Sequence, residues 1–255
     1  MTGRGCRALV ALILLLVLGG ARDPILVPEI SQHEIQVRQG FTGASLLLFG
    51  AILNPDGTRA ARGYDIVVVL KGPVQSIVLR EKQKVAGIWI NADNTAFRSA
   101  PSYFAVASSR PINQIVDDKT AAIYELGLPY LQLSPIGAID PQEQTRFAAG
   151  LVDLMKRQSL YAESGDAVKI SDGVLYQARI ELPSTVQTGT YTAETFAISN
   201  GKVVAAASNT IEVRKQGFER FVALAAQRSS LLYGLFAVFV SVAMGWVAGR
   251  LFALV

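Results

Sequence analysis

The sequence predicts a mainly-β ectodomain, an immunoglobulin-like β-sandwich interrupted by a helical insertion, followed by one C-terminal transmembrane helix. Three observations predict this fold class: strand-like segments between turns over 25–213, helical spacing confined to 111–163, and an uncharged apolar run near the C-terminus. Closely spaced strands joined by turns favour a sandwich over an alternating β/α fold. The chain contains a single cysteine, so no disulfide framework supports the immunoglobulin assignment.

The predicted strands are recognised by β-branched runs and by alternation of apolar and polar residues. The run Ile66–Leu70 suits a strand buried on both faces, Asn54–Gly57 and Gly72-Pro73 supply turn residues, and Asn200-Gly201 is typical of a β-hairpin turn. The other predicted strands are Ile35–Arg38, Ala44–Leu53, Val74–Lys82, Lys84–Ile90, Ala167–Ile170, Val174–Leu182, Thr190–Ser199 and Val203–Val213.

The central region has helical periodicity in two places, Pro111–Leu126 and Gln142–Glu163. Asp140-Pro141 precedes the second helix and provides an N-cap residue with a proline at the first helical position. The apolar face of this helix predicts packing on a core, in preference to a membrane surface or a partner. That face consists of Phe147, Leu151, Leu154 and Met155.

The N-terminus has the order of a secretory signal peptide (1–21). Arg4 and Arg7 precede the apolar run Ala8–Leu18, and small residues follow up to Ala21. Eleven apolar residues at about 1.5 Å each are too short to cross a hydrocarbon core of about 30 Å. We therefore expect cleavage after Ala21, with an uncleaved signal anchor as the alternative.

The C-terminal segment 231–252 predicts a membrane helix. Leu231–Gly249 runs nineteen residues without a charge, which is enough to span a bilayer, and a buried core helix is the alternative. If the leader directs export of the chain, the domain 22–214 lies outside the cytoplasm and the short C-terminus lies inside. The segment 215–230 fits an amphipathic juxtamembrane helix that could lie on the membrane, pack on the ectodomain or serve as a stalk.

Small residues recur every four positions within the predicted membrane helix. A stripe of this kind allows two helices to approach closely in lipid. It predicts a contact with a membrane-protein partner or a second copy of the chain, and a stripe that merely faces lipid is the alternative. The residues of the stripe are Ala237, Ser241, Gly245 and Gly249.

Composition and motif content argue against common catalytic and nucleic-acid-binding classes. Outside the two apolar ends, the chain has 21 basic and 20 acidic residues. This balance gives no sign of the basic surface that a nucleic-acid-binding protein needs. The only cysteine, Cys6, lies in the leader, and the only histidine is His33. No serine-histidine-aspartate arrangement, phosphate-binding glycine loop or calcium-loop spacing is present in the sequence. We expect no enzymatic activity, no cofactor and no metal.

The stretch Gly87–Pro111 concentrates aromatic and arginine residues. It could form a binding site for a small ligand or glycan, or it could be an ordinary pair of core strands. Burial is the commoner use of aromatic side chains, which favours the core interpretation. The candidate ligand-binding residues are Trp89, Arg98, Tyr103 and Arg110.

Short motifs occur in a recognisable order along the chain after the leader. They are Phe41-Thr42-Gly43, Leu48-Phe49-Gly50, Gly72-Pro73, Gly87–Asn91, Ala100–Ala107, Leu160-Tyr161, Gly189-Thr190-Tyr191, Lys215–Arg220 and Tyr233-Gly234. Together they resemble a transmembrane protein family of alphaproteobacteria, Alph_Pro_TM. The resemblance implies a bacterial inner-membrane protein with a periplasmic domain. It carries over no catalytic residue, because the family is defined by similarity and not by an activity.

These observations favour a single-pass, membrane-anchored periplasmic accessory or protein-interaction domain in contact with the lipid bilayer. Its expected partner is another membrane protein, with a transporter as one candidate, or a second copy of the chain. A periplasmic module that binds a small ligand or glycan is the first alternative. The second is an uncharacterised hydrolase that uses distant carboxylates or serine-lysine chemistry.

Processing of the leader is directly testable. Because the apolar run is short and small residues follow it, intact-mass spectrometry of the protein purified from its membrane should find an N-terminus at or near Arg22. Retention of Met1–Ala21 on most molecules would contradict cleavage and favour a signal anchor.

Overall fold

The computed structural model describes residues 24–38, 40–54, 63–137, 139–215 and 226–252. The predicted leader, the predicted turn after Asn54 and most of the predicted juxtamembrane helix lie outside the described residues. The described chain is mainly β with one C-terminal apolar helix, which confirms the predicted fold class.

Twelve strands and four complete α-helices lie within the described residues, and residues 226–228 are helical as well. The strands are β1 (Ile25–Ile30), β2 (Glu34–Val37), β3 (Gly43–Leu53), β4 (Asp65–Lys71), β5 (Val74–Val85), β6 (Ile88–Pro101), β7 (Phe104–Ser108), β8 (Tyr161–Ser164), β9 (Val168–Ser171), β10 (Leu175–Pro183), β11 (Gly189–Ser199) and β12 (Lys202–Lys215). The helices are α1 (Ile112–Ile115), α2 (Asp118–Tyr124), α3 (Pro141–Arg157) and α4 (Ser230–Phe252), with a 3-10 turn at Leu128–Tyr130.

Two sheets form the sandwich. The first has the order β1-β3-β10-β9, and the second has the order β2-β12-β11-β4-β7-β8. Pairing is antiparallel except that β2 runs parallel to β12 and β8 parallel to β7. The orders β1-β3-β10-β9 and β12-β11-β4-β7 correspond to the ABED and GFCC′ sheets of immunoglobulin variable-type domains. The predicted sandwich is therefore present with immunoglobulin topology.

The hydrophobic core lies between the two sheets, and β4 is its central strand. All five residues of Ile66–Leu70 are fully buried, as the unbroken apolar run predicts. Asn200 and Gly201 adopt φ values of 51° and 74° between β11 and β12, which is the tight hairpin turn that the sequence predicts.

A tyrosine corner fixes the start of β11. The hydroxyl group of Tyr191 donates a hydrogen bond of 2.8 Å to the backbone carbonyl of Gln187, four residues upstream. Immunoglobulin domains place a tyrosine at this position, two residues before the second cysteine of their inter-sheet disulfide. Ala193, 2% exposed, occupies the cysteine position here. Apolar packing therefore joins the sheets at the point where other domains of this topology use a disulfide.

The β5/β6 hairpin extends the β4/β7 pair beyond the end of the sandwich. Gly72 N–H donates to the Tyr103 carbonyl at 2.8 Å, and Ser102 N–H donates to the Pro73 carbonyl at 2.9 Å. The prediction of separate strands on either side of Gln83 is wrong, because the chain turns at Ala86-Gly87, where φ is 48° and 87°. Charged residues of β5 before this turn are tolerated since both faces of the hairpin are exposed there.

The observed helices also differ from the predicted ones at two boundaries. The predicted helix Pro111–Leu126 is two short helices, because Asp117 is extended and caps α2 by accepting a 3.0 Å hydrogen bond from Thr120 N–H. That hydrogen bonding lowers the pKa of Asp117. Asp140 caps α3 as predicted, accepting from Gln142 N–H at 2.8 Å.

Helix α3 ends at Arg157 and not at Glu163, because the chain enters β8 at Tyr161. The Tyr161 ring is buried, and its hydroxyl group donates to the Pro101 carbonyl at 2.7 Å. Three residues of the predicted apolar face are buried, whereas Leu154 is 44% exposed.

An ion-pair cluster joins the helical insertion to the second sheet. The Lys71 ammonium group, at the end of β4, lies 2.8 Å from Glu125 and 3.0 Å from Glu194. Burial lowers the pKa of Lys71, but hydrogen bonds to the two carboxylates outweigh this, so the net pKa shift is upward. The cluster fixes the end of α2 against β11.

Helix α4 contains 23 residues and is therefore about 35 Å long. Among the described residues it is the one helix long and apolar enough to cross a bilayer.

The tyrosine corner yields a stability prediction. Tyr191→Phe removes the hydroxyl donor and leaves the Gln187 carbonyl unpaired, so the free energy of unfolding should fall by about 1 kcal/mol. In a domain of this size, the melting temperature of the detergent-purified chain, followed by circular dichroism, should drop by about 2–4 °C.

Tyr124→Phe is the matched control, because Tyr124 lies 37% exposed against the Phe196 ring and makes no hydroxyl hydrogen bond to the described chain. Equal melting temperatures for the two variants would contradict a stabilising corner.

Candidate functional site

The four candidate ligand-binding residues do not lie together. Trp89 is 66% exposed near the tip of the β5/β6 hairpin, and Arg98 is exposed farther down β6. Tyr103 is buried in the sandwich, and Arg110 lies beside Asp65 at the start of β4. Trp89 and Arg110 are thus at opposite ends of the ribbon formed by β4, β5, β6 and β7. The structure therefore assembles no single pocket from these side chains.

Tyr103 is a core residue. Its hydroxyl group donates to the Glu181 carbonyl at 2.8 Å, and its ring centroid lies 6.0 Å from that of Tyr191. Burial raises the pKa of the Tyr103 phenol well above its ordinary value. Tyr103 therefore ties the base of the hairpin to β10, while Phe97 and Phe104 fill neighbouring core positions.

Arg110 forms an ion pair with Asp65 of β4. Its guanidinium group binds both carboxylate oxygens of Asp65, with an Nε–Oδ1 distance of 2.9 Å. The hydrogen bond from Arg110 is the main reason that the pKa of Asp65 lies below its ordinary value. Ser109 Oγ donates to the same carboxylate at 2.9 Å. This network fixes the end of β7 against the start of β4.

Sequence reasoning missed a groove between α3 and the segment 111–134. The groove has a volume of about 1330 Å³ and is open to solvent along its length. Leu128–Ser134 forms one wall, and α3 forms the other with Ala148, Ala149 and Val152. Its lining comes from four separate stretches of the chain, within 108–113, 128–134, 141–156 and 163–165, so no local motif could have revealed it.

Polar groups at the floor of the groove distinguish it from a purely apolar cleft. Ser108, at the end of β7, is 1% exposed, and its hydroxyl group makes no hydrogen bond within the described residues. Glu163 of β8 also lines the groove and accepts a 2.9 Å hydrogen bond from Leu128 N–H. Because β8 is an edge strand of its sheet, one side of the groove adjoins a sheet edge.

Helix α3 also holds the hairpin. Its Arg146 side chain lies 3.3 Å from Glu81 on β5 and 3.4 Å from Asp93 on β6. Residues 82–92 extend beyond this clamp, and all of them are exposed. The hairpin thus has a held lower part and a free tip.

The small-residue stripe faces outward on α4. Ala237, Ser241, Gly245 and Gly249 are all exposed. Apart from the glycine, its two chain neighbours and the nearby backbone of α4 itself, no described atom lies within 4 Å of the position that a Cβ atom would take at Gly245 or Gly249. The stripe is sterically open to another helix, and its role stays a prediction.

The described residues contain no cluster of three or more histidine, cysteine or acidic side chains that could hold a metal ion. His33 is 67% exposed, and its Nε2 atom lies 3.2 Å from Glu29.

The fold and α4 together define an immunoglobulin-like domain carried by a chain with one candidate membrane span. A family model described as "Putative transmembrane protein (Alph_Pro_TM)" matches residues 25–253, and the chain belongs to this family. No curated protein matches the chain. The family match confirms the resemblance found in the sequence and brings no activity with it.

The exposed position of Trp89 generates a stability test. Trp89→Ala should change the free energy of unfolding by no more than about 0.5 kcal/mol, because the side chain has little packing to lose. Phe97→Ala, on the same strand but fully buried, should cost about 3–5 kcal/mol. Chemical denaturation of the detergent-purified chain measures both values. A large loss in Trp89→Ala would place this residue in the core.

Proposed function

We propose that this protein is a single-pass accessory protein of the bacterial inner membrane, whose periplasmic domain binds an extended segment of a membrane-protein partner in the α3 groove. The C-terminus lies in the cytoplasm, and the protein catalyses no reaction. A transporter is the first class of partner to test. The observation that carries the proposal is the open groove beside the β8 sheet edge.

The dimensions of the groove support a polypeptide over a small ligand. Small-molecule pockets are typically about 300–1,000 Å³ and enclose most of their ligand. This groove is larger, at about 1330 Å³, and open. An extended segment can place alternate side chains against the apolar wall of α3 while its backbone meets polar groups.

The polar groups that line the groove are suited to hydrogen bonding with the backbone of a bound polypeptide segment. The exposed Glu163 carboxylate lines the groove, and its oxygens can accept a hydrogen bond from an N–H group of a bound segment. The adjoining edge strand β8 has backbone groups on its unpaired side, and edge strands commonly accept an added segment. The small-ligand alternative loses its original support because Trp89, Arg98, Tyr103 and Arg110 are apart.

Site-specific photo-crosslinking in living cells tests the groove. A benzophenone amino acid replaces Lys156, which lines the groove at the end of α3, and adducts are identified by mass spectrometry. We expect an adduct with an integral membrane protein. Ala149→Trp, which fills the groove, should abolish the adduct without changing the level or melting temperature of the protein.

Leu154→Trp is the control for the groove-filling substitution. Leu154 lies exposed on the same helix but does not line the groove, so the same added bulk there should leave the adduct intact. An adduct that survives Ala149→Trp, or that forms only with soluble proteins, would contradict the proposed function.

A further inference from the structure

The free tip of the β5/β6 hairpin carries a group of exposed apolar side chains. Isolated apolar residues are ordinary on protein surfaces, but a continuous group marks a contact with another molecule or with a membrane. The tip residues and their exposed fractions are Val85 (51%), Ile88 (68%), Trp89 (66%) and Ile90 (45%).

The apolar side chains occupy both faces of the tip. Val85 pairs with Ile88, Gln83 with Ile90 and Lys84 with Trp89. Because directly opposed residues lie on one face and successive residues alternate, the aliphatic side chains lie on one face and Trp89 on the other. A flat protein partner would cover one face and leave the other in water. A lipid bilayer surrounds an inserted tip and covers both.

The charges at the tip complement an anionic surface. Residues 82–92 include Lys82 and Lys84 and no acidic residue. The acidic residues that flank the tip in the sequence, Glu81 and Asp93, both form ion pairs with Arg146. Lys84 lies opposite Trp89, so an ammonium group and an indole ring share one face. Tryptophan prefers the headgroup level of a membrane, and lysines near that level attract anionic lipids.

The hairpin leaves the sandwich at the end from which the chain continues to α4. Lys71 of β4 pairs with Thr192 near the start of β11, and Gly189 pairs with Val213 near the end of β12. Pro73, at the base of the hairpin, lies 2.9 Å from the position that a Cβ atom would take at Gly189. The base of the hairpin and the end of β12 are therefore neighbours.

The lengths of the two connections allow the tip to reach the bilayer. The 12 residues of β5 extend about 40 Å at strand geometry. The 14 residues between Lys215 and Ser230 span at most about 50 Å. The hairpin is therefore long enough to reach the bilayer when the sandwich lies within about 40 Å of it.

We propose that the hairpin tip, residues 82–92, inserts into the surface of the bilayer that holds α4, with Lys82 and Lys84 at anionic headgroups. The chain then has two membrane contacts, one spanning and one superficial. Two contacts restrict the orientation of the sandwich relative to the membrane more than one contact does. This inference depends on the tip and on α4, and it holds whether or not the α3 groove binds a partner.

Tryptophan fluorescence of the full chain tests the insertion. Trp246→Phe in α4 leaves Trp89 as the only tryptophan. The protein is placed, one copy per disc, in lipid nanodiscs of phosphatidylglycerol and phosphatidylcholine in equal amounts. We expect Trp89 emission to be shifted to the blue and to be quenched by phospholipids brominated near the top of the acyl chain. In discs of phosphatidylcholine alone, the quenching should be weaker.

Two variants in the Trp246→Phe background separate insertion from other causes. Lys82→Glu combined with Lys84→Glu should remove most of the bromolipid quenching in the anionic discs. Val78→Ser, which changes an apolar residue of β5 that is 59% exposed but below the tip, should leave the quenching unchanged. Emission typical of water, or a blue shift without bromolipid quenching, would overturn the proposal. Equal quenching in neutral and anionic discs would overturn the assignment to anionic headgroups.

Discussion

The architecture depends on the backbone hydrogen bonds that carry the β4/β7 ladder past the end of the sandwich. Gly72 donates to Tyr103 and Ser102 donates to Pro73, so the ladder crosses a Gly-Pro turn that would otherwise end it. Proline has no N–H group to contribute, but its carbonyl accepts here. The side chain of Tyr103 points into the core and holds this junction against β10. The hairpin, its clamp on α3 and its exposed tip all follow from this continuation.

The sequence predicts the sandwich well where one local rule decides the structure. The β-branched run of β4 can only be a buried strand, Asn200-Gly201 matches the φ values of its turn, and Asp140 supplies an oxygen acceptor at the start of α3. The exposure of Trp89 is not predictable in this way. An aromatic residue between two isoleucines resembles a core strand, and it becomes a surface feature only because no second sheet within the described part of the chain covers the end of the hairpin.

The groove, like the exposure of Trp89, could not be predicted from a local rule in the sequence. Its walls come from α3 and from Leu128–Ser134, and its floor comes from strand ends that lie far apart in the sequence. The segment Phe104–Ser108 looks like any buried strand, and only its tertiary position places Ser108 among the residues that line the groove. The membership of the chain in a transmembrane family supports a membrane location, whereas the geometry of this insertion supports a binding role.

The position of β12 has a mechanical consequence. This strand leads toward α4, and it lies inside its sheet, paired with β11 on one side and β2 on the other. A pull directed along this strand acts at right angles to the ladder hydrogen bonds, which run across it. Such a force loads many hydrogen bonds together, and because β12 has a neighbour on each side it does so in two ladders, where an edge strand has one.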